Sequence, residues 1–310
     1  MMEKILMKKL DFNFTPGTTL RGKWQGHTYR IVKKLGEGAC GVVYLCKRNG
    51  HTYALKVGTD SSRLMLEVNM LKKFSKVQGV KLGPSFVDVD DWVSSRRLTY
   101  PFYVMEYVQG QSLPSFLQGK SKDWIALTAV QLLSDLEHLH AAGYAFGDLK
   151  TENLLMSSSR VRWIDVGGVT AFDRAIKEFT EFYDRGYWGY GSRRSDAQYD
   201  LFAVSMIMLE MVYPKRFIKG KDPHKTLQHK LALAQMPDFC KKVINSCWQG
   251  KYQSANEMKK GFEKGLMKRQ TKPSRVSRAT AKKSSSERSD WGEWIAISIL
   301  VTMFYGLSWL

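Results

Sequence analysis

The sequence predicts an α+β protein with a small β-rich lobe, a larger helical lobe, a basic linker and an apolar C-terminal segment. Short runs rich in β-branched and aromatic residues come first, and long runs with the apolar period of a helix follow them. The composition then changes abruptly near residue 267. Because 44% of the 310 residues are hydrophobic, the chain is able to bury a substantial core, which excludes a mainly disordered protein.

The β-rich lobe is predicted over residues 29–108 from the runs YRIVKKL, GVVYLCKR, TYALKVG and FYVMEYV, which glycines and polar turns separate. One helix interrupts them in SSRLMLEVNMLKKF, where Leu64, Val68 and Leu71 recur at helical spacing behind a serine cap. Residues 1–28 form an N-terminal extension. It is basic at its start but lacks the apolar run of a secretory signal, so export by that route is not expected.

The helical lobe is predicted over residues 109–266. Its clearest segment, DWIALTAVQLLSDLEHLHAAG, begins with an aspartate cap, carries an apolar helical face and ends at a glycine. A second apolar helix follows in DLFAVSMIMLEMV, and shorter amphipathic pieces continue to Leu266. The sequence contains no internal repeat.

Residues 267–290 are predicted to be a disordered linker. They contain eight lysines and arginines against Glu287 and Asp290, which gives a net charge of +6. They hold no cluster of aromatic or large aliphatic residues to bury, so folding of this segment by itself is not expected.

Residues 291–310 are predicted to be a transmembrane anchor. From Trp294 onward, seventeen residues carry no charge, and at about 1.5 Å per residue such a helix approaches the thickness of a bilayer core. A buried core helix is the alternative, but tryptophans near both ends of the segment resemble an interfacial belt. Because basic residues precede the span and none follow it, we expect a single-pass protein of the cell membrane with cytoplasmic lobes, and no sensor domain beyond Leu310.

The overall charge indicates a polyanionic partner. The chain carries 48 Lys and Arg residues against 29 Asp and Glu, a net charge of +19 that favours contact with membrane phospholipid or nucleic acid. The four cysteines lack metal-binding spacing, which favours reduced thiols in a cytosol. Cys40 lies in a glycine-rich loop, where a reactive and an inert thiol are both open and the inert one is favoured.

Phosphate chemistry is first indicated by GEGACGVVY, which places Gly36, Gly38 and Gly41 between two predicted strands. Glycines let backbone N–H groups approach a phosphate without an intervening Cβ, although a single motif of this kind is weak evidence. Lys56 follows on the third strand, where its ammonium is placed to bind α- and β-phosphates. Glu67, on the predicted helix, is placed to hold that lysine by an ion pair.

The remaining chemistry-bearing residues come from two later loops. Asp148, Lys150 and Asn153 share one loop, and Asp165 follows in WIDVGG. An acceptor hydroxyl needs a carboxylate to orient it and take its proton, which is the role predicted for Asp148. Mg²⁺ needs hard oxygen ligands, predicted here to be Asn153 and Asp165. Singly, each residue has an ordinary structural explanation, and their joint order favours the chemical one.

In this order, from Tyr29 to Leu266, the motifs resemble those of eukaryotic-like (Hanks-type) bacterial Ser/Thr protein kinases. The resemblance implies a bilobal protein-kinase fold, ATP and Mg²⁺ as cofactors, and protein serines and threonines as acceptors. It makes Lys56, Glu67, Asp148 and Lys150 the catalytic set, with Lys150 at the γ-phosphate as in Ser/Thr kinases. It assigns nucleotide binding to Gly36, Glu37, Gly38, Ala39, Cys40, Gly41, Val43, Ala54, Lys56, Met105, Glu106, Val108 and Leu155.

The same resemblance predicts how the nucleotide base is held. Val43 and Ala54 would form the upper wall of the adenine slot and Leu155 its floor. Met105, Glu106, Tyr107 and Val108 correspond to the hinge, whose backbone groups would pair with adenine, and Met105 would be the gatekeeper.

The sequence departs from the family pattern in the catalytic loop and beyond it. Where the family has His-Arg-Asp, this chain has Phe146-Gly147-Asp148, and Val166 stands in place of the phenylalanine of Asp-Phe-Gly. We therefore predict that the Phe146 ring contacts Val166. Without the arginine, activity is expected to depend less on an activation-segment phosphate.

The absent Ala-Pro-Glu element puts the peptide platform in doubt. Thr180 is either an autophosphorylation site or a solvated threonine, and Asp200 is expected to support the catalytic loop.

The basic linker has two interpretations: a topology signal that also attracts anionic lipid, and a sequence-independent DNA-binding segment. The layout resembles the short, sensorless, membrane-anchored kinases of endospore-forming bacteria, a group with reported DNA-stimulated activity, which strengthens the DNA interpretation. The predicted function is therefore an active kinase at the inner membrane face, switched by DNA. A weakly active, kinase-shaped membrane scaffold is the alternative, and a small-molecule kinase is a weaker one. The sequence predicts neither the substrates nor the oligomeric state.

Overall fold

The computed structural model describes residues 12–38, 40–74 and 82–270. The strands are β1 (Thr19–Arg21), β2 (Thr28–Gly38), β3 (Gly41–Arg48), β4 (His51–Val57), β5 (Phe86–Val93), β6 (Thr99–Glu106), β7 (Tyr144–Ala145), β8 (Leu154–Ser157), β9 (Arg160–Trp163) and β10 (Thr170–Ala171). The helices are α1 (Ser61–Phe74), α2 (Leu113–Leu117), α3 (Asp123–Ala141), α4 (Arg185–Trp188), α5 (Ala197–Glu210), α6 (Pro223–Leu233), α7 (Asp238–Trp248) and α8 (Ala255–Gln270).

The N-terminal lobe is an antiparallel sheet in the order β1-β2-β3-β4-β6-β5, with α1 packed against β5 and β6. Along β3, Val42, Tyr44 and Cys46 alternate with less buried residues, so one face of the strand lies on the core. Helix α1 buries the predicted stripe of Leu64 and Val68 against this sheet.

The sheet begins before the predicted lobe boundary at Tyr29. Strand β1 pairs with β2 through Leu20 and Tyr29, and both Phe12 and Leu20 are fully buried in the core of the lobe. The described part of the predicted extension therefore belongs to the lobe, because its apolar side chains close one end of the sheet.

Strand β5 was not predicted, because FVDVDDWV carries acidic residues on what becomes an inward face. Asp88 and Asp90 are each only 5% exposed. They are stabilised there by hydrogen bonds, from the Tyr29 hydroxyl to Asp88 at 2.5 Å and from the backbone N–H groups of Trp24 and Gln25 to Asp90 at 2.9 and 2.8 Å. Buried carboxylates with such partners are tolerated, but a hydrophobic pattern does not reveal them.

Two predicted helix caps differ from those observed. Helix α1 is capped by Asp60, whose carboxylate accepts from the backbone N–H of Arg63 at 3.0 Å, and not by a serine. Asp123 is the first residue of α3 rather than its cap, which is Lys122. The Asp123 carboxylate instead pairs with Arg269 of α8 at 2.7 Å, a partner that no local pattern indicates.

The C-terminal lobe is built around α3, in which every residue from Asp123 to Leu136 is buried. Helices α5 and α8 both pack against it. Helix α8 continues to Gln270, past the predicted boundary at Leu266, so residues 267–270 of the predicted linker are helical.

The predicted anchor at 291–310 and the rest of the predicted linker lie outside the described residues. Among the helices within residues 12–38, 40–74 and 82–270, none combines the length and apolarity that a bilayer span requires.

Candidate active site

One cleft of about 950 Å³ collects the predicted site residues from both lobes. The predicted nucleotide-binding, catalytic and metal-binding residues all line it, with the exception of Ala39, which lies outside the described residues. The upper wall comes from the β2–β3 hairpin and β4, and the lower wall from the segments around β8 and β9. Folding therefore brings together residues that the sequence spreads from Gly36 to Asp165.

The β2–β3 hairpin forms the glycine-rich loop. At Gly41 the backbone has φ +140°, and a Cβ there would lie 2.2 Å from the Val57 carbonyl oxygen, so only glycine fits. At Gly36 and Gly38, in contrast, a Cβ would meet no heavy atom within 4 Å. These two glycines border open space within the cleft, where a bare backbone allows close approach of a ligand.

Lys56 and Glu67 form a buried ion pair at the back of the cleft. The Lys56 Nζ lies 2.7 Å from Glu67 Oε2 and 3.8 Å from Asp165 Oδ2. Burial alone would lower the pKa of the Lys56 ammonium, but the Asp165 and Glu67 carboxylates outweigh this effect and raise it. Burial raises the pKa of Glu67, against the opposing effect of Lys56. Lys56 is thus held as a cation facing Asp165.

Tyr103 completes this pair and was missed by sequence reasoning. It lies opposite Lys56 in the β4–β6 register, and its hydroxyl donates to Glu67 Oε2 at 2.8 Å. Burial raises the pKa of Tyr103 well above its usual value, so the hydroxyl keeps its proton and remains a donor. The strand register identifies this residue, and the register is a tertiary property that the sequence pattern did not supply.

The Asp148 carboxylate is held by two side-chain donors. Lys150 Nζ donates to Oδ2, and the Thr180 hydroxyl donates to Oδ1 at 3.1 Å. Lys150 also lies 3.4 Å from the Thr180 hydroxyl, so the three groups form a closed triangle. Thr180 is therefore half-buried and engaged with the catalytic loop, and its phosphorylation stays a prediction.

The catalytic loop is fixed from below by Asp200, which is completely buried. Its carboxylate accepts from the backbone N–H groups of Phe146 and Gly147 at 2.7 and 3.0 Å, and contacts His140 Nε2 at 2.8 Å. These contacts orient the peptide units that immediately precede Asp148. Asp200 thus occupies the supporting position expected from the sequence.

Phe146 and Gly147 have different structural roles. The buried Phe146 ring packs edge-on against Trp163 at 4.8 Å between centroids, a partner that sequence reasoning did not identify. The predicted contact with Val166 stays a prediction. Gly147 has φ +80°, and a Cβ there would lie 2.5 Å from the Gly168 carbonyl oxygen. In this conformation, the loop leaves no space for the arginine that the family carries at the position of Gly147.

Two ion pairs, each with one buried partner, hold the segment in which the Ala-Pro-Glu element is absent. Arg185 is 5% exposed and forms a bidentate pair with Asp196 at 2.9 and 2.6 Å. Asp184 is 1% exposed, accepts from the Tyr199 hydroxyl at 3.0 Å and pairs with Arg193 at 2.7 Å. A different set of charges thus anchors the segment that follows Thr180, and the doubt about a peptide platform stays a prediction.

The predicted metal ligands suit Mg²⁺ by their chemistry. The Asp165 side chain is 43% exposed to the cleft, and its Oδ1 accepts from the Gly167 N–H at 2.8 Å. The Asn153 amide nitrogen donates to the Asp148 carbonyl at 2.9 Å, which leaves the amide oxygen as the atom for a cation. Both residues offer hard oxygens. Among the described residues, this cleft included, no group of three or more His, Cys, Asp or Glu side chains is arranged for a metal.

The comparisons with known proteins all indicate the same family. The protein kinase domain model matches residues 29–288. Serine/threonine-protein kinase YabT of Bacillus subtilis is 48% identical over 257 residues, which cover 82% of this chain and 76% of that protein. The probable serine/threonine-protein kinase YbdM of the same organism is 28% identical over 177 residues, covering 52% of this chain and 64% of that protein.

Among solved structures, vaccinia related kinase 3 matches with a TM-score of 0.59 over 84% of this chain and 93% of that one. The two are 18% identical, so this likeness concerns the fold alone.

Proposed function

Since the chain belongs to the protein kinase domain family and is a serine/threonine kinase of the bacterial Hanks type, we propose that it transfers the γ-phosphate of Mg²⁺-bound ATP to protein serines and threonines with Asp148 as the base. The observation that carries this proposal is the Lys56–Glu67 pair at 2.7 Å, with Asp165 3.8 Å from Lys56, in the same cleft as Asp148. Together they supply the charges that phosphoryl transfer requires.

The proposed roles follow from the chemistry of each side chain. Lys56 binds the α- and β-phosphates, because Glu67 holds its ammonium in place and Tyr103 donates a hydrogen bond to the same Glu67 carboxylate. Asp148 orients the acceptor hydroxyl and takes its proton, and Lys150 places a positive charge beside that carboxylate. Bound through Asn153 and Asp165, Mg²⁺ would neutralise charge on the β- and γ-phosphates.

The adenine is proposed to lie between the side chains of Ala54 and Val43 above and Leu155 below, all of which line the cleft. Met105 lies at the back of this slot, 6% exposed, and is paired in register with Ala54. The backbone of residues 106–108 supplies the hydrogen bonds that fix the base.

Steady-state phosphate transfer by the full-length protein tests this proposal, with ATP, Mg²⁺ and serine- or threonine-containing peptides. Lys56→Ala and Asp148→Asn are each expected to lower kcat/KM by about 100-fold or more. Matched controls are Lys47→Ala on the exposed side of β3 and Asp173→Asn, whose side chain is 73% exposed. Equal rates for wild type and both active-site variants would favour the kinase-shaped scaffold instead.

We further propose that residues 291–310 anchor the protein to the inner face of the cell membrane. The uncharged run after Trp294, its flanking tryptophans and the preceding basic residues support this proposal. Sedimentation of the full-length protein with membranes after an alkaline wash is the expected result. Release into the supernatant by that wash would indicate surface attachment only.

The basic linker is proposed to bind the phosphate backbone of DNA and thereby raise activity. Its excess of lysine and arginine supports sequence-independent, salt-sensitive binding. The test compares wild type with a variant that carries glutamine at every basic position within 271–290, because this change leaves helix α8 intact. Loss of both DNA binding and DNA-stimulated transfer is expected. DNA binding that survives would locate the site elsewhere, and binding only to vesicles of anionic lipid would favour the topology interpretation.

A further inference from the structure

Arg216, in the loop between α5 and α6, binds two carboxylates at once. Its Nη2 lies 2.6 Å from Glu152 Oε1, and its Nε lies 2.7 Å from Glu210 Oε1. Its Nη2 also donates to the Tyr183 hydroxyl at 2.7 Å, and the guanidinium lies over the Tyr183 ring at 4.9 Å. One arginine thus joins the catalytic loop, the end of α5 and the segment that follows Thr180.

One member of this acidic pair, Glu152, lines the cleft in which an acceptor would meet Asp148. Glu152 follows Asp148 in the same loop and lines the same cleft. Tyr183 follows Thr180, whose hydroxyl donates to Asp148. A peptide that presents its hydroxyl to Asp148 therefore passes close to both segments that Arg216 ties together.

Two carboxylates in this position would by themselves attract a lysine or arginine of the acceptor. Here they are already paired, because the Arg216 guanidinium lies 2.6 Å from Glu152 and 2.7 Å from Glu210. The side chains of Glu152 and Glu210 are 54% and 14% exposed. An incoming arginine would have to displace a group that the chain itself tethers there at high effective concentration.

The exposed charges nearby do not restore an attraction for cations. Lys177 is exposed and lines the cleft, Lys215 precedes Arg216, and Lys219 donates to the Tyr187 carbonyl at 3.3 Å. Glu181 is an exposed acidic residue on the neighbouring segment. Three of these four exposed side chains are basic.

We propose that Arg216 is a specificity-determining residue: it fills the acidic pair beside the catalytic loop, so the enzyme takes acceptor peptides with neutral or acidic flanks and disfavours basic ones. This inference rests on the proposed kinase activity. It concerns the relative rates on different acceptors and not the rate of phosphate transfer itself.

The experiment uses full-length protein, Mg²⁺–ATP and three peptides that share one central serine flanked by arginine, alanine or glutamate. Wild type is expected to give a higher kcat/KM on the glutamate and alanine peptides than on the arginine peptide. Arg216→Gln is expected to raise the arginine-to-glutamate ratio of kcat/KM by about tenfold or more, because Glu152 becomes free for the peptide.

Two variants separate this effect from a general loss of charge or fold. Lys215→Gln removes the adjacent positive charge and is expected to leave the ratio within about twofold, and Arg216→Lys is expected to keep a ratio close to that of wild type. If Arg216→Gln fails to fold, Arg216→Gln combined with Glu210→Gln removes the most buried unpaired carboxylate and still leaves Glu152 free.

The outcomes are distinguishable. A wild-type preference for the arginine peptide, or an unchanged ratio in Arg216→Gln, overturns the assignment of Arg216 while leaving the kinase activity standing. No transfer to any peptide overturns both proposals. A rise in the ratio that Lys215→Gln reproduces would also overturn it, since the effect would then come from net charge alone.

Discussion

Gly147 shows how a single residue adapts the catalytic loop to the loss of an arginine. Its φ of +80° and the 2.5 Å approach of a Cβ to the Gly168 carbonyl oxygen mean that any side chain would displace backbone next to Asp148. Gly143 is a matched comparison, because it has φ +82° with nothing within 4 Å of its Cβ position. The two glycines thus separate the cost of backbone strain from the cost of a clash.

We expect Gly143→Ala to lower the free energy of unfolding by about 1 kcal/mol, from strain alone. Gly147→Ala adds a clash with backbone, so it is expected to cost about 2 kcal/mol or more and to reduce phosphate transfer. Urea denaturation and kinase assays of both variants measure these effects. Equal destabilisation, with activity retained in Gly147→Ala, would show that the loop relaxes freely at this position.

A single residue, Asp135, is expected to make the stability of the folded protein depend on pH. It lies in α3 and is nearly buried, and burial raises its pKa from 3.8 to about 6 even though Arg160 lies 3.0 Å away. Between these two pKa values the folded protein keeps a proton that the unfolded chain has released. The contribution of Asp135 to the free energy of unfolding is therefore greatest below the lower value and is lost as the pH rises through about 6.

Asp135→Asn is expected to remove this dependence, because the amide does not titrate. The difference between variant and wild type in the free energy of unfolding should change by up to about 3 kcal/mol between about pH 4 and about pH 7, with the variant gaining relative stability at the higher pH. Denaturant titrations at several pH values measure it. A difference that stays constant with pH would mean that Asp135 titrates normally in the folded protein.

At the scale of elements, the ion pair between Glu178 and Arg63 ties the segment after β10 to helix α1. Cys40 of the glycine-rich loop also contacts Glu178, with its Sγ 3.8 Å from the carboxylate. Arg63 precedes Glu67 by one helical turn, so this pair favours the helix position in which Glu67 reaches Lys56.

Both partners are about a third or more exposed, so the effect of breaking the pair is expected to be modest. We predict that Arg63→Glu and Glu178→Arg each lower kcat/KM about threefold to fivefold, and that the double variant recovers most of the loss. Kinetic assays of the four proteins form a double-mutant cycle. Additive losses in the double variant would contradict a direct role for the pair.

Helices were predicted better than strands and caps, for identifiable reasons. The bounds of α1 coincide with the predicted run because its apolar stripe is intact. Strand β5 escaped prediction because hydrogen bonds satisfy its buried aspartates. The caps differ because an aspartate outside the apolar pattern, or a long-range partner, binds the helix end.

Within the site, family motifs identified residues that line the cleft, since their order along the chain is diagnostic. Tyr103 and Arg216 escaped because their partners lie on separate elements, and only folding brings them together. The pairs that replace the Ala-Pro-Glu element were missed for the same reason. Arg185 reaches Asp196, and Arg193 reaches Asp184, across a turn that no motif describes.

At the scale of the whole molecule, the central claim is that this kinase is active without an arginine before its catalytic aspartate. The residues that perform the chemistry differ from the residue that normally binds a regulatory phosphate. Asp148, Lys56 and Asp165 are retained, while Gly147 stands in place of the arginine that would bind the phosphate. We therefore expect activity to depend less on phosphate on the segment that contains Glu178.

The most direct measurement is the initial rate of transfer from radiolabelled ATP by full-length protein that a phosphatase has first stripped, with intact mass confirming that no phosphate remains. Transfer to serine and threonine acceptors should begin without a lag and should be lost in Asp148→Asn. A rate no higher than that of Asp148→Asn would contradict the account. So would a lag that ends only as phosphate accumulates between Asp165 and Asp184.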